Sequence, residues 1–95
     1  MIAAAKPRIL LGRLLATPGA LDTLAESGQR PSAFIWRHEH GDWGDVCEED
    51  RQLNDEAADS DGRLLSEYRT SKGDRLWVIT EADRSATTIL RPDEY

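Results

Sequence analysis

The spacing of apolar and polar positions changes period once along this chain, at Gly62. Ahead of it apolar residues recur at helical intervals; beyond it every second residue is apolar or β-prone. Thr17 followed by Pro18 reads as a helix start, because a threonine oxygen can accept from a free first-turn amide and a first-turn proline lacks only a donor that would find no partner. Ala20, Leu21, Leu24 and Ala25 then share a face and Gly28 supplies a stop, which predicts a first helix over Pro18–Ser27. Pro31 and Ser32 open a second short helix running to His38, with Phe34, Ile35 and His38 on one side and Gly41 ending it. Asp45 caps a third helix, Val46 to Ala58, whose apolar stripe of Val46, Leu53 and Ala57 is thin. Upstream of all three, Arg8 to Leu15 reads as a strand or an extended lead-in.

Past Gly62, Leu64, Ser66, Tyr68 and Thr70 alternate with Leu65, Glu67 and Arg69. Ser71-Lys72-Gly73-Asp74 then turns the chain into a second strand, Arg75 to Glu81, rich in Trp, Val, Ile and Thr. Ala82 to Ser85 makes another turn, and Ala86 to Leu90 a further strand that Pro92 ends. Such a sheet has to cover its apolar face, and the preceding helices are the only material for it. The expected fold is therefore α+β. N-terminal helices (residues 1–61) pack on one face of a C-terminal three- to four-stranded antiparallel meander (residues 62–95), as a single domain over residues 1–95. A chain of 95 residues suits one core.

Charge changes the picture more than composition does. The formal net charge is −6, but it is unevenly distributed. Residues 1–38 are net positive, residues 62–95 are balanced, and all the excess acid falls in residues 39–61, where Arg51 is the only base. On the third helix, Asp45, Glu48, Glu49, Asp50, Asp55, Glu56 and Asp59 project negative charge, with Asp61 just beyond. This reads either as a solvated acidic face that keeps the chain soluble or as a surface that docks on something basic. The overall sign argues against unaided binding to bare nucleic acid or to an anionic membrane. No apolar run approaches the roughly 20 residues that a bilayer crossing needs. Lys6 and Arg8 are not followed by a signal-type apolar block, since Gly12 and Arg13 interrupt it, and Cys47 is the single cysteine. A reducing cytoplasm is the expected compartment.

His38, His40, Asp42, Asp45 and Cys47 lie close together in sequence and are all metal-ligand types. Their spacing is poor for a structural zinc site, so the segment reads first as a helix end and a tight turn. There Gly41 and Gly44 permit positive φ, Asp42 and Asp45 bond local backbone, and Trp43 tucks inward. No nucleophile elbow, phosphate loop or His-Glu-x-x-His helix is present. The expectation is a non-enzymatic protein without cofactor or metal. Of the aromatics, Trp77 is expected in the core. Trp36, whose helix already turns Phe34 and Ile35 inward, is the best exposed anchor for a partner.

At Arg37-His38-Glu39-His40-Gly41-Asp42-Trp43-Gly44-Asp45 and at Leu76 to Leu90 the chain resembles a group of small bacterial proteins carried on plasmids, integrative elements and prophages. The resemblance runs from Leu11 to Tyr95 and includes the Ala16-Thr17-Pro18-Gly19-Ala20-Leu21 opening and the Pro92-Asp93-Glu94-Tyr95 ending. It implies a setting and no activity: an accessory gene of a mobile element, where small acidic inhibitors of restriction or CRISPR complexes recur. The expected function is an acidic binding protein that occupies a basic surface of a host protein or nucleoprotein complex in imitation of nucleic acid. Its expected contacts are Trp36, Asp42, Trp43, Asp45, Glu48, Glu49, Asp50, Asp55, Glu56 and Asp59. Two alternatives stand beside it. One is an accessory or regulatory domain, antitoxin-like or self-associating as a homodimer through an open sheet edge at Ala86 to Leu90. The other is a small metal-dependent enzyme using the His38 to Cys47 cluster.

Overall fold

A computed structural model of the chain describes residues 6–95. β1 (Arg13–Ala16) is followed by α1 (Pro18–Ser27), α2 (Pro31–Glu39) and α3 (Glu48–Ala58), then by β2 (Leu64–Arg69), β3 (Arg75–Thr80), β4 (Ala86–Leu90) and a closing 3-10 turn, Pro92–Glu94. The four strands form one open sheet in the order β1-β4-β3-β2. The α+β class holds, and β2, β3 and β4 are the antiparallel meander that the period-two segment predicts. The sheet as a whole is mixed, because β1 joins it parallel to β4, with Arg13 opposite Ala86 and Ala16 opposite Ile89. β1 has no alternation to mark it, and its partner lies at the other end of the chain. Pairing β1 outside β4 makes β4 an interior strand, so the open edge expected at Ala86 to Leu90 is at β1 instead. Among the described residues no helix is long and apolar enough to cross a membrane.

α1 forms where its caps place it. The Thr17 oxygen accepts from the Ala20 amide at 3.2 Å, and Gly28 closes the helix in the left-handed region at φ 71°. α2 buries Phe34, Ile35 and His38, the side that its spacing predicts. These helices meet the sheet face carrying Tyr68, Leu76, Val78 and Ile89, and with Ala20 and Leu24 they make the main core. A second cluster of Ile9, Trp43, Ala57 and Leu64 lies beside it. Trp77 departs from expectation: it points to the opposite sheet face and is only half-buried, its indole N–H bonded to Glu67 and its ring edge-on to Tyr95. Register decides this, because Leu76 and Val78 take the covered face and the residue between them cannot.

α3 also departs from the sequence reading. It begins at Glu48 with Cys47 at the cap position, and its buried side chains are Asn54 and Ala57, while Leu53 is 60% exposed. The reason is what the helix packs on. α3 lies against β2, an edge strand, so its inner side meets unpaired backbone. An amide suits that better than an aliphatic chain. Asn54 donates to the Leu65 carbonyl at 2.8 Å and accepts from the Leu65 N–H at 3.1 Å, standing in for a neighbouring strand. Next along the same edge, the Glu67 N–H donates to the Trp43 carbonyl and the Asp45 N–H to the Glu67 carbonyl, around an isolated parallel bridge at Gly44. The acidic segment thus plugs the β2 edge at Leu65 and Glu67.

The other end of α3 is held by Arg84, which adopts φ 63°, the one non-glycine left-handed residue among those described. Its guanidinium donates to the carbonyls of Ala57 at 2.7 Å, Ser60 at 3.0 Å and Gly62 at 2.6 Å, at the C-terminal end of the helix and in the turn that follows it. Arg84→Ala is expected to destabilise the domain by about 2–3 kcal/mol, since hydrogen bonds to a charged group are lost and carbonyls are stranded. Thermal unfolding followed by circular dichroism checks this. Arg84→Lys is expected to recover only part of the loss, because an ammonium cannot reproduce the planar fork.

Candidate functional site

The acidic stretch divides into two sets once its neighbours are known. One set is turned to structural use by arginines from elsewhere in the chain. Arg37 forks onto Asp42, with Nε at 2.7 Å from one oxygen and Nη2 at 3.3 Å from the other, and stacks over the Tyr68 ring. Asp42 also accepts from the Gly44 amide, and the Arg37 bond above all holds its carboxyl below the usual range while raising the guanidinium. Asp55 accepts from Trp43 Nε1 at 3.0 Å and from Arg8 at 2.8 Å, and these two bonds, the indole's first, depress its carboxyl. Arg8 also lies 3.8 Å from Asp59, Arg69 lies 3.8 Å from Asp45, and Arg51 reaches Glu48 within α3 at 3.3 Å. Of the residues expected to meet a partner, Asp42, Asp45, Glu48, Asp55 and Asp59 are therefore ion-paired internally. These pairs are largely exposed and weak, but they interrupt the continuous charged ladder expected along this segment.

The other set is Glu49, Asp50 and Glu56, which have no ion-pair partner among the described residues and are exposed. They are the i−4, i−3 and i+3 neighbours of Leu53 and so surround it on the helix surface. The apolar stripe read from the sequence is thus inverted at this position. Leu53 stands outward beside these three carboxylates, with Arg63 across a shallow hollow on its other side.

The two tryptophans expected as anchors have opposite fates. Trp43 is 1% exposed, fixed through its indole N–H to Asp55 and beyond the reach of a partner. Trp36 is 57% exposed and stacked on His40 with centroids 4.0 Å apart, while His40 Nδ1 donates to the Trp36 carbonyl. It lies beside Leu11, Leu14, Leu15, Ile35 and Ile89 along a groove of about 440 Å³ between α2 and β1. Trp36 and the α3 patch therefore belong to different elements at different ends of the sheet.

His38 and His40 do not converge with Cys47. Among the described residues no group of three or more His, Cys, Asp or Glu is placed to hold a metal ion. His38 instead sits fully buried in a chain of hydroxyls that the sequence reading did not identify. Its Nδ1 is 2.6 Å from Ser66 Oγ and its Nε2 2.9 Å from Thr80 Oγ1, which is 2.7 Å from Thr87 Oγ1. Thr87 donates to the Leu11 carbonyl at 2.7 Å, and that acceptor fixes the direction of the whole chain. Thr87 has one proton and has spent it, so Thr80 donates to Thr87, His38 Nε2–H donates to Thr80, and Ser66 donates to Nδ1. Burial depresses the imidazole to about 4, with Arg84 adding to the effect. A serine beside a histidine is the geometry of a nucleophile and its base. Here both are fully buried and the second ring nitrogen is already bonded, so no substrate reaches the pair and its role is to tie α2 to the sheet. The signal available in the sequence is three hydroxyl residues, Ser66, Thr80 and Thr87, at inward positions of their strands, facing a helix that turns a histidine inward. Compared with protein-family models, curated proteins and solved structures, the chain matches none.

Proposed function

We propose that this chain is a non-enzymatic binding protein that docks the outer face of α3 onto a cationic protein surface, as an inhibitor of a nucleic-acid-handling complex would. The observation that carries the reading is the ring of Glu49, Asp50 and Glu56, unpaired among the described residues, around Leu53, 60% exposed. An exposed apolar centre beside three carboxylates can exclude water in the middle while steering a cationic partner. Arg63, which lines the same hollow from the β2 side with Asp50 and Leu53, is itself paired with Glu81 at 4.0 Å. Glu49 and Glu56 lie about 10 Å apart along the helix axis. That span suits one cluster of lysines and arginines better than a long phosphate-binding track, so the reading is a local contact and not imitation of an extended duplex. The resemblance to proteins of plasmids and prophages supports a bacterial defence complex, of the restriction or CRISPR type, as the target.

Purified protein titrated into a restriction or CRISPR cleavage reaction tests this. The wild type is expected to protect the DNA substrate, less so as salt rises. The triple variant Glu49→Lys/Asp50→Lys/Glu56→Lys is expected to lose protection by about 100-fold while remaining folded, because all three side chains are exposed. Lysines in the first turn oppose the helix dipole by only about 0.3–1 kcal/mol each. Unchanged protection by the triple variant removes the α3 contact, and a wild type without effect on such complexes removes the inhibitory role.

A further inference from the structure

The two edges of the sheet are finished differently. At β2 the outward backbone groups of Leu65 and Glu67 are taken up by Asn54 and by the Trp43–Asp45 bridge. At β1 nothing comparable is found among the described residues. The Arg13 N–H donates to Ser85 and the Thr17 N–H to Ile89, both on the β4 side. By the alternation of a parallel ladder, the N–H and C=O of Leu14 and Ala16 point away from the sheet. All four residues of β1 are exposed, with Leu14 at 59% and Leu15 at 42%, and the apolar groove beneath Trp36 runs along the strand. Edge strands of folded proteins are ordinarily blunted by shortness, charge, proline, a bulge or a covering segment; β1 is short and carries Arg13, but among the described residues it has no lysine, proline, bulge or covering segment.

We propose that β1 is a self-association edge, pairing antiparallel with β1 of a second copy of this chain across a two-fold axis at Leu15. In that register Leu14 bonds Ala16 of the other copy in both directions, the two Leu15 side chains meet on the far face, and the sheet becomes continuous over eight strands. Charge selects a second copy as the occupant. Arg13 has no ion-pair partner among the described residues, and the register sets it opposite Thr17 of the other copy. The Thr17 hydroxyl donates to Glu94 at 2.6 Å, so each exposed arginine meets the carboxylate held at the other copy's Thr17. The excess acid of the chain does not oppose this arrangement. α3 packs on β2, and in the paired sheet the two β2 strands lie about 34 Å apart at about 4.8 Å per strand, several Debye lengths at physiological salt.

This goes beyond the α3 contact and does not depend on it. Light scattering of the wild type at about 100 µM, far above a micromolar Kd, is expected to give twice the 10.6 kDa of one chain. Leu14→Lys puts a charge on an exposed edge position and is expected to give the single-chain mass with unchanged circular dichroism. Arg13→Glu is expected to raise the dissociation constant at least tenfold in low salt. Amide exchange supplies a readout specific to the register: the Leu14 and Ala16 N–H groups are expected to slow as concentration rises, while the triple α3 variant dimerises like the wild type. A monomeric wild type at this concentration overturns the proposal, as does a dimer indifferent to Leu14→Lys or with Leu14 and Ala16 exchange independent of concentration. Loss of their protection in a monomer on removing residues 1–5 would assign the edge to the chain's own N-terminus and equally overturn it.

Discussion

Replacing His38 by leucine is expected to destabilise the domain by about 3–5 kcal/mol, a large part of the 5–15 kcal/mol available to a small domain. The side chain is fully buried, and removing the imidazole strands the Ser66 hydroxyl and leaves Thr80 without the donor that its oxygen receives. Each buried polar group so stranded costs about 1–3 kcal/mol, and misfit of the new side chain adds to that. The chain of hydroxyls also makes the loss strongly non-additive. In the triple variant Ser66→Ala/His38→Leu/Thr80→Val the two hydroxyls stranded by His38→Leu are gone and only Thr87, which keeps its bond to the Leu11 carbonyl, loses a donor, so its stability is expected to exceed that of His38→Leu alone. Urea unfolding of the wild type, the triple variant and the three single variants decides this, and simple addition of the three single losses would mean that the hydroxyls are not coupled through His38.

The same residue gives the wild type a pH dependence with a definite sign. In the unfolded chain the imidazole titrates near its ordinary value of 6.5, and in the fold burial holds it at about 4. Between these values the unfolded state binds the extra proton, so stability is full above pH 6.5, falls as pH drops toward 4, and levels below it for this group. The window corresponds to about 3 kcal/mol at 1.36 kcal/mol per unit. Protonation requires Nδ1 to become a donor, which forces the Ser66 hydroxyl to reverse and give up its bond. His38→Leu is expected to abolish the slope between pH 6.5 and 5. Below that, Asp42, whose carboxyl Arg37 holds down, adds a loss of the same sign in both proteins.

What the sequence made legible was whatever local chemistry dictates. Thr17, Pro18 and Gly28 bound α1, the spacing of Phe34, Ile35 and His38 orients α2, and period two with Ser71 to Asp74 defines the β2–β3 hairpin. What stayed hidden depends on partners far away in the chain. Arg8 to Leu15 was legible as a strand or an extended lead-in, but not that its end, β1, joins the sheet parallel to β4, which offers it a ladder from the other end of the chain. Asn54 is polar and buried because the β2 edge needs an amide there, which no helical periodicity encodes. The acidic segment misled for the same reason. Counted along the chain it is an unbroken run of charge, but Arg8, Arg37 and Arg69 come from three other segments to pair with Asp55, Asp42 and Asp45, which leaves Glu49, Asp50 and Glu56 as carboxylates of α3 without an ion pair among the described residues. For the candidate site, exposure of Trp36 was readable from the inward neighbours on its helix, while that of Leu53 was not, because hydrophobicity alone assigned it inward.

Gly44→Ala is expected to cost about 3–5 kcal/mol, although it adds a single methyl group in a loop. Gly44 is held at φ 73° by the bridge to β2, and a Cβ built there would lie 2.0 Å from the Glu67 carbonyl oxygen and 2.7 Å from Tyr68 Cδ1. Both neighbours are fixed: Glu67 is in the ladder with Trp77, and Tyr68 is buried, its hydroxyl bonded to the Asp42 carbonyl. The loop therefore has to withdraw, giving up the Glu67–Trp43 and Asp45–Glu67 backbone bonds and loosening Trp43 from the core. Gly73→Ala supplies the control, since Gly73 shares the left-handed conformation at φ 87° but has nothing within 4 Å of its added Cβ. It is expected to lose only the backbone penalty of about 1–2 kcal/mol. The difference between the two variants isolates the contact with β2, and amide exchange locates it: in Gly44→Ala the Glu67 and Asp45 N–H groups exchange faster than in Gly73→Ala at matched stability. Equal losses and equal exchange would mean that the Gly44 bridge does not close the β2 edge. The β2 edge would then be closed by Asn54 at Leu65 alone, and the contrast with an open β1 would rest on that one pair of bonds.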